Sequence, residues 1–269
     1  MDYIVENKGT ELACREIAGP GTCPDAVPLV CVHGACVDGT FFDGIARELG
    51  RSRRAVIYDR RGAGESSAAA DGRYDVATQA EDLAAVIEHV GAPCDILAHS
   101  AGTLVTLELL RKRPELVRRA VLHEPAVSGE GVGLGTDPRL VELLRVGKAS
   151  RALMGFLTAL GDGDPRAPRS TEAEAKHMLR DGRTFMAHEY TEIMSYAPRW
   201  EQVAVGKVAA VGLGDRSLDT PRAAGAHAAA DRLGCPVVAF PGAHNGLRDL
   251  PREAAWIVQG ILEDRPAEA

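Results

Sequence analysis

Residues 94–103 read CDILAHSAGT, and this stretch decides the fold. The apolar run that opens it predicts a buried strand, and the Leu- and Val-rich residues 101–112 predict a helix. Ser100 therefore stands at a sharp turn from strand to helix. Small residues flank it at Ala98 and Gly102, which is typical of a serine nucleophile because small neighbours relieve the crowding at such a turn. The alternative is an ordinary helix-capping serine, so the surrounding sequence has to decide.

Short apolar runs alternate with helical patterns on both sides of this stretch. Such alternation is typical of an α/β protein in which helices cover a mostly parallel central sheet. The predicted strands are 3–6, 11–17, 28–32, 54–58, 94–98, 117–122, 207–213 and 235–240, and the predicted helices outside the insertion described next are 41–49, 75–90, 101–112 and 248–262.

The alternation stops between about 126 and 203. Helical patterns at 139–160, 171–182 and 184–197 follow one another there, with a Gly/Asp/Pro turn predicted at 161–165. We therefore expect a core made of residues 1–125 and 204–269, with residues 126–203 inserted into it as a helical cap. The tail after Asp264 is expected to fray.

Composition and charge exclude several classes of protein. Thirty-one basic and 38 acidic residues give a net charge of −7, which disfavours nucleic acid as a partner. The opening residues MDYIVENKGTEL show no secretory signal, and no apolar run is long enough to cross a membrane. We expect a cytoplasmic protein that acts on a small molecule and has no membrane or nucleic-acid partner. The sequence does not predict its oligomeric state.

Five short motifs around these elements resemble those of the α/β-hydrolase family, in the family's order and over nearly the whole chain. They are His33-Gly34, the turn Asp59–Ser66, the Ser100 junction, the strand end Gly212–Asp215, and the loop Pro241–His244. The resemblance implies an α/β-hydrolase fold with a helical cap. Because Ser100 stands at the strand-to-helix junction, it also implies a serine nucleophile.

The resemblance also implies a catalytic triad of Ser100, Asp215 and His244. The histidine would take the proton of the serine, because a free hydroxyl is a poor nucleophile, and the acid would orient the histidine. Two alternatives stay open for the acid. Glu124 follows the predicted strand that ends at Leu122, and Asp219 lies four residues beyond Asp215.

Two backbone amides are expected to form the oxyanion hole. One is that of Ala101, the residue after the nucleophile, and the other is that of Ala35 or Cys36 in the loop after His33-Gly34. No histidine shows a metal-ligand spacing, so we expect neither a catalytic metal nor a cofactor. The glycine-rich turn Asp59–Ser66 is interpreted as structural.

These residues predict hydrolysis of a small or medium carboxylic ester, thioester or lactone through an acyl-enzyme on Ser100. One alternative is a non-hydrolytic enzyme on the same scaffold, namely a lyase, perhydrolase, transacylase or cyclase. The other is a ligand-binding protein without catalysis. The sequence does not identify the substrate.

Overall fold

The computed structural model describes residues 1–23, 25–160 and 171–263. The turn predicted at 161–165 and the tail after Asp264 lie outside these ranges. Within them, eight strands form one sheet in the order β1-β2-β4-β3-β5-β6-β7-β8. The strands are β1 (Asp2–Asn7), β2 (Thr10–Ile17), β3 (Leu29–Val32), β4 (Ala55–Tyr58), β5 (Cys94–His99), β6 (Val117–His123), β7 (Val208–Gly214) and β8 (Val237–Phe240).

The sheet is parallel except at one edge. β1 and β2 form an antiparallel hairpin, and β2 pairs antiparallel with β4. All pairs from β4 through β3, β5, β6 and β7 to β8 are parallel. The central strands are buried throughout, which explains why their sequences are continuous apolar runs rather than alternating ones. The mostly parallel sheet predicted from the sequence is confirmed.

The strand order reverses its direction at β3. The chain goes from β3 outward to β4 and then returns to β5 on the other side of β3. In open α/β sheets, ligands bind outside the carboxyl ends of the strands at such a switch point. His33 directly follows β3 and Ser100 directly follows β5, so the topology brings these two predicted site residues to the switch point.

Helices cover both faces of the sheet and bury two separate apolar layers. The helices of the core are α1 (Asp43–Leu49), α2 (Val76–Val90), α3 (Ala101–Lys112), α8 (Pro221–Leu233), α9 (Gly246–Asp249) and α10 (Pro251–Leu262). One apolar layer lies between the sheet and α2, α3 and α8, and the other lies between the sheet and α1, α9 and α10. In the described ranges, no helix is both long and apolar enough to cross a membrane.

The inserted helices follow β6 and precede β7, inside the segment predicted as an insertion. They are α4 (Pro138–Arg145), α5 (Ala149–Leu160), α6 (Glu172–Thr184) and α7 (Tyr190–Ser195). The pattern at 139–160 was predicted as one helix, but Gly147 adopts a φ of 72° and separates α4 from α5. A π-helical turn at Phe185–Glu189 joins α6 to α7, so the two patterns predicted at 171–182 and 184–197 form one continuous helical run.

Helix α8 was not predicted, because its alanine-rich stretch shows little contrast between apolar and polar faces. Its ends nevertheless carry ordinary signals. Thr220 caps the first turn and Pro221 takes the first helical position. Gly234 ends the helix in the left-handed conformation, as glycine commonly does.

Candidate active site

Ser100 occupies the strained turn that the sequence predicts for it. Its φ and ψ are 51° and −121°, a combination that residues other than glycine rarely adopt. The residue links the last residue of β5 to the first of α3, and its N–H donates to the carbonyl of His123 at 3.0 Å. Such strain persists only where the surrounding structure enforces it, and it is concentrated at functional sites. The Ser100 side chain is partly exposed.

Two glycines let the backbone pack closely around Ser100. A Cβ atom on Gly34 would lie 3.0 Å from the Cβ of Ser100, so the loop after β3 touches the serine turn directly. A Cβ atom on Gly102 would lie 2.3 Å from the carbonyl oxygen of Val32, which brings α3 against the end of β3. Position 102, two residues after the serine, therefore requires glycine for steric reasons.

His244 is paired with Glu124. The Nδ1 atom of His244 lies 2.6 Å from Oε2 of Glu124, and both side chains are buried. The ring of His244 lies 4.5 Å, centroid to centroid, from that of His99, the neighbour of Ser100. His99 also contacts the carbonyl oxygen of His244 through Nε2 at 3.0 Å. The structure thus brings together the ends of β5, β6 and β8.

Glu124 is held as an anion by several donors. Burial alone would raise the pKa of its carboxyl, but the hydrogen bond from His244, the nearby imidazoles and the Ser217 hydroxyl lower it to about 2. The N–H of Gly214 donates to Oε1 at 3.0 Å, and Nε of Arg222 lies 3.4 Å from Oε2. No sequence motif indicates Ser217 or Arg222, because both reach Glu124 only through the fold.

The expectation that Asp215 is the acid partner of His244 is wrong in this structure. The Asp215 side chain is 56% exposed, and its Oδ1 accepts from the N–H of Gly242 at 3.0 Å. A Cβ atom on Gly214 would lie 2.6 Å from the Gly242 carbonyl oxygen and 3.0 Å from Oε1 of Glu124. The glycine therefore lets the histidine loop cross the end of β7 and meet Glu124, the residue directly after β6.

Asp219, the third candidate for the acid, is exposed. The alternative that the sequence left open at Glu124 is the one that the contacts support. A signal for it was present, because Glu124 lies two residues beyond the end of the predicted strand 117–122. The strand order supplies what the sequence lacks, because β6 lies next to β5 while β7 is one strand further away.

The amides expected for the oxyanion hole lie at the same edge of the sheet. Ala101 is the first residue of α3, where an N–H has no partner one helical turn earlier. Ala35 follows Gly34 in the loop that touches Ser100, and Cys36 after it adopts a φ of 61°. Ala101 is therefore adjacent to Ser100, while Ala35 and Cys36 follow the glycine that approaches it.

Two further histidines lie behind the site and are uncharged at neutral pH. Burial, together with His244 and His123, lowers the pKa of His99 well below its usual value. Burial lowers the pKa of His123 to about 4. His99 stacks on Phe41 at 4.3 Å, and His123 packs edge-on against Phe240. These neutral, stacked rings therefore form a rigid wall behind the site.

The turn Asp59–Ser66 is held by the carboxylate of Asp59. Asp59 accepts from the N–H groups of Gly39 and Glu65 at 2.6 and 2.8 Å. A Cβ atom on Gly64 would lie 2.0 Å from the Asp59 carboxylate, so the turn needs glycine there. Among the described residues, no group of three or more His, Cys, Asp or Glu side chains is arranged to hold a metal ion.

Part of the chain matches a known protein family in sequence. Residues 27–159 match a family model described as the alpha/beta hydrolase fold. The chain is 26% identical over 247 residues to an uncharacterized hydrolase, YraK, of Bacillus subtilis, covering 87% of this chain and 88% of that protein.

Solved structures of low sequence identity share the fold. A thermophilic esterase from Thermogutta terrifontis is 20% identical, with a TM-score of 0.75 over 98% of this chain and 99% of its own. Est816, described as an N-acyl homoserine lactone degrading enzyme, is 18% identical, with a TM-score of 0.75 over 96% of this chain and 99% of its own.

Proposed function

Because the chain belongs to the α/β-hydrolase superfamily, we propose that it is a serine hydrolase that cleaves a small or medium carboxylic ester, thioester or lactone. Ser100 is the nucleophile, His244 the general base and Glu124 the acid of the triad. The observation that carries the proposal is the hydrogen bond between His244 and Glu124 beside the strained Ser100 turn. The described esterase and lactone-degrading relatives favour this substrate class.

The first half of the reaction forms an acyl-enzyme. The Ser100 hydroxyl oxygen attacks the acyl carbon while its proton passes to Nε2 of His244, since Nδ1 is held by Glu124. The amides of Ala101 and Ala35 donate hydrogen bonds to the oxyanion that develops. When the carbon–oxygen or carbon–sulfur bond breaks, His244 returns the proton to the leaving alcohol or thiol.

The second half of the reaction releases the acid. A water molecule attacks the acyl carbon of the ester on Ser100, and His244 takes one proton from it. The tetrahedral intermediate collapses, the Ser100 oxygen leaves and recovers a proton from His244, and the carboxylic acid departs. The anionic Glu124 stabilises the imidazolium that forms in each half, and its low pKa keeps it charged at neutral pH.

We also propose that the inserted helices act as a cap over the core. They reach the site side of the core at several points. Glu189 pairs with Arg60, and His177 lies 3.1 Å from Asp38 in the loop beyond Cys36. Phe156, Phe185 and Tyr190 pack on one another inside the insertion, which gives it an apolar centre of its own.

Hydrolysis in water labelled with ¹⁸O tests the proposal. The protein is incubated with a panel of p-nitrophenyl esters of two to eight carbons, a thioester and a γ-lactone. We expect at least one substrate to yield a carboxylic acid that carries one ¹⁸O atom, with none in the alcohol or thiol. The Ser100→Ala variant should form none of this acid above background.

Two outcomes would contradict the proposal. Product without ¹⁸O in the acid would favour the transacylase or lyase alternatives. Full turnover in Ser100→Ala would remove the nucleophile from the mechanism.

A further inference from the structure

Arg60 holds the carbonyl group next to the proposed oxyanion donor. Its Nη2 donates to the oxygen of Gly34 at 2.9 Å, and its Nε donates to the oxygen of His33 at 3.1 Å. The side chain is only 2% exposed. The turn Asp59–Ser66, interpreted from sequence as structural, therefore sends one side chain to the loop beside Ser100.

His33 adds a second donor to the same oxygen. Its Nδ1 lies 2.9 Å from the Gly34 oxygen, and its Nε2 accepts from the backbone N–H of Arg60 at 2.9 Å. Burial and the neighbouring Arg60 lower the pKa of His33 to about 3, so the ring is neutral. A neutral ring has one donor and one acceptor, and these contacts require that Nδ1 carries the hydrogen.

These two donors fix the orientation of the peptide between Gly34 and Ala35. In a planar trans peptide, the C=O and the N–H point in opposite directions. With the Gly34 oxygen held on the Arg60 side, the N–H of Ala35 is directed to the other side. Gly34 contacts Ser100 and His99, so this peptide lies directly beside the nucleophile.

The other end of Arg60 is held by the inserted helices. Its Nη1 donates to Oε2 of Glu189 at 2.5 Å and also to the side-chain oxygen of Gln79. Glu189 is 2% exposed and ends the π-helical turn between α6 and α7. Gln79 donates to the same Glu189 oxygen at 3.1 Å. Single π-helical turns within α-helices occur frequently at functional sites.

We propose that Arg60 is a positioning residue for the oxyanion hole and that Glu189 couples the seating of the inserted helices to it. With the insertion seated, Glu189 neutralises and orients the buried guanidinium, and the guanidinium holds the Gly34 carbonyl. With the insertion displaced, Arg60 loses its carboxylate and the Ala35 N–H loses its fixed direction. The inference rests on the proposed hydrolase function and describes how the inserted helices regulate it.

Two substitutions test the coupling. Arg60→Lys keeps the charge but cannot place several donors in one plane, and Glu189→Gln keeps the size but removes the charge. Complete loss of one oxyanion donor lowers kcat by about 100- to 1,000-fold. We expect a 10- to 100-fold fall in kcat for each variant, with KM for p-nitrophenyl butyrate changed less than threefold.

A transition-state analogue separates positioning from general damage. A trifluoromethyl ketone adds to an activated serine and presents an oxyanion to the hole. Its affinity should fall in each variant by the same factor as kcat/KM. The double variant should lose no more than Arg60→Lys alone, because both changes act through one guanidinium.

Asp181→Asn is the matched control. Asp181 is a buried carboxylate of α6 that accepts from the N–H of Gly64 and pairs with Arg180, so it joins the insertion to the same turn. We expect its kcat to stay within twofold of the native value.

The possible outcomes distinguish a failure of this inference from a failure of the proposed function. Native kcat in both Arg60→Lys and Glu189→Gln would overturn the inference and leave the function standing, as would an equal loss in Asp181→Asn. A native protein that neither turns over the ester nor binds the ketone would overturn the proposed function and the inference together.

Discussion

Replacement of Glu124 by glutamine tests which carboxylate serves His244. Glutamine preserves the volume and can still accept the hydrogen bond from the N–H of Gly214 through its carbonyl oxygen. It removes the negative charge 2.6 Å from Nδ1 of the histidine. The imidazolium that forms during each half of the reaction then has no anion to stabilise it, while the fold retains its packing.

The size of the loss follows from the geometry. Two opposite charges about 4 Å apart attract with about 4 kcal/mol at an effective dielectric constant of about 20. Because about 1.4 kcal/mol corresponds to a tenfold change in rate, we expect kcat to fall by about 1,000-fold. Asp215→Asn should stay within about threefold, since the exposed Asp215 can keep its bond from Gly242 through the amide oxygen.

The assay is the hydrolysis of p-nitrophenyl butyrate at pH 8, with the thermal midpoint of each variant measured by circular dichroism. Similar midpoints for both variants would show that the comparison concerns catalysis rather than folding. A loss in Asp215→Asn that equals or exceeds the loss in Glu124→Gln would refute the assignment and return the acid role to Asp215.

Two further predictions concern stability. Gly102→Ala should lower the free energy of unfolding by several kcal/mol or prevent folding, because the new Cβ would lie 2.3 Å from the backbone oxygen of Val32. Urea denaturation measures this free energy, and a native value in the variant would contradict the close approach of the two backbones. His123→Leu should make the free energy of unfolding less dependent on pH below pH 7. In the native protein the pKa of His123 is about 4, below its value in the unfolded chain, so the unfolded chain takes up a proton first as the pH falls. This difference contributes about 3 kcal/mol to the stability near pH 7 and is lost toward pH 4. Urea denaturation at pH 8 and pH 4.5 checks this, and an unchanged pH dependence in the variant would refute it.

The nucleophile turn could be predicted because its signals are local. A strand, a serine between small residues and an apolar helix follow one another within about 20 residues, and Ser100 adopts the expected strained backbone. The parallel sheet could be predicted for a similar reason. A strand buried on both faces is an apolar run wherever it pairs, so its neighbours need not be known.

The acid could not be assigned from the sequence, because the assignment depends on the path of a distant loop. Asp215 and Glu124 both follow strands of the same sheet, and both contact the histidine loop. Only the crossing of that loop over Gly214 decides which carboxylate meets His244. The role inferred for Arg60 was hidden for the same reason, since its partners lie up to 129 positions away in the chain.

The most direct test of an activated serine is intact-mass analysis after treatment with a fluorophosphonate probe, comparing the native protein with Ser100→Ala and His244→Ala. The account predicts a single adduct on the native protein, mapping to Ser100, and none on either variant over the same time. An adduct that persists in Ser100→Ala, or a well-folded native protein that forms none, would contradict the claim that Ser100 is the activated nucleophile.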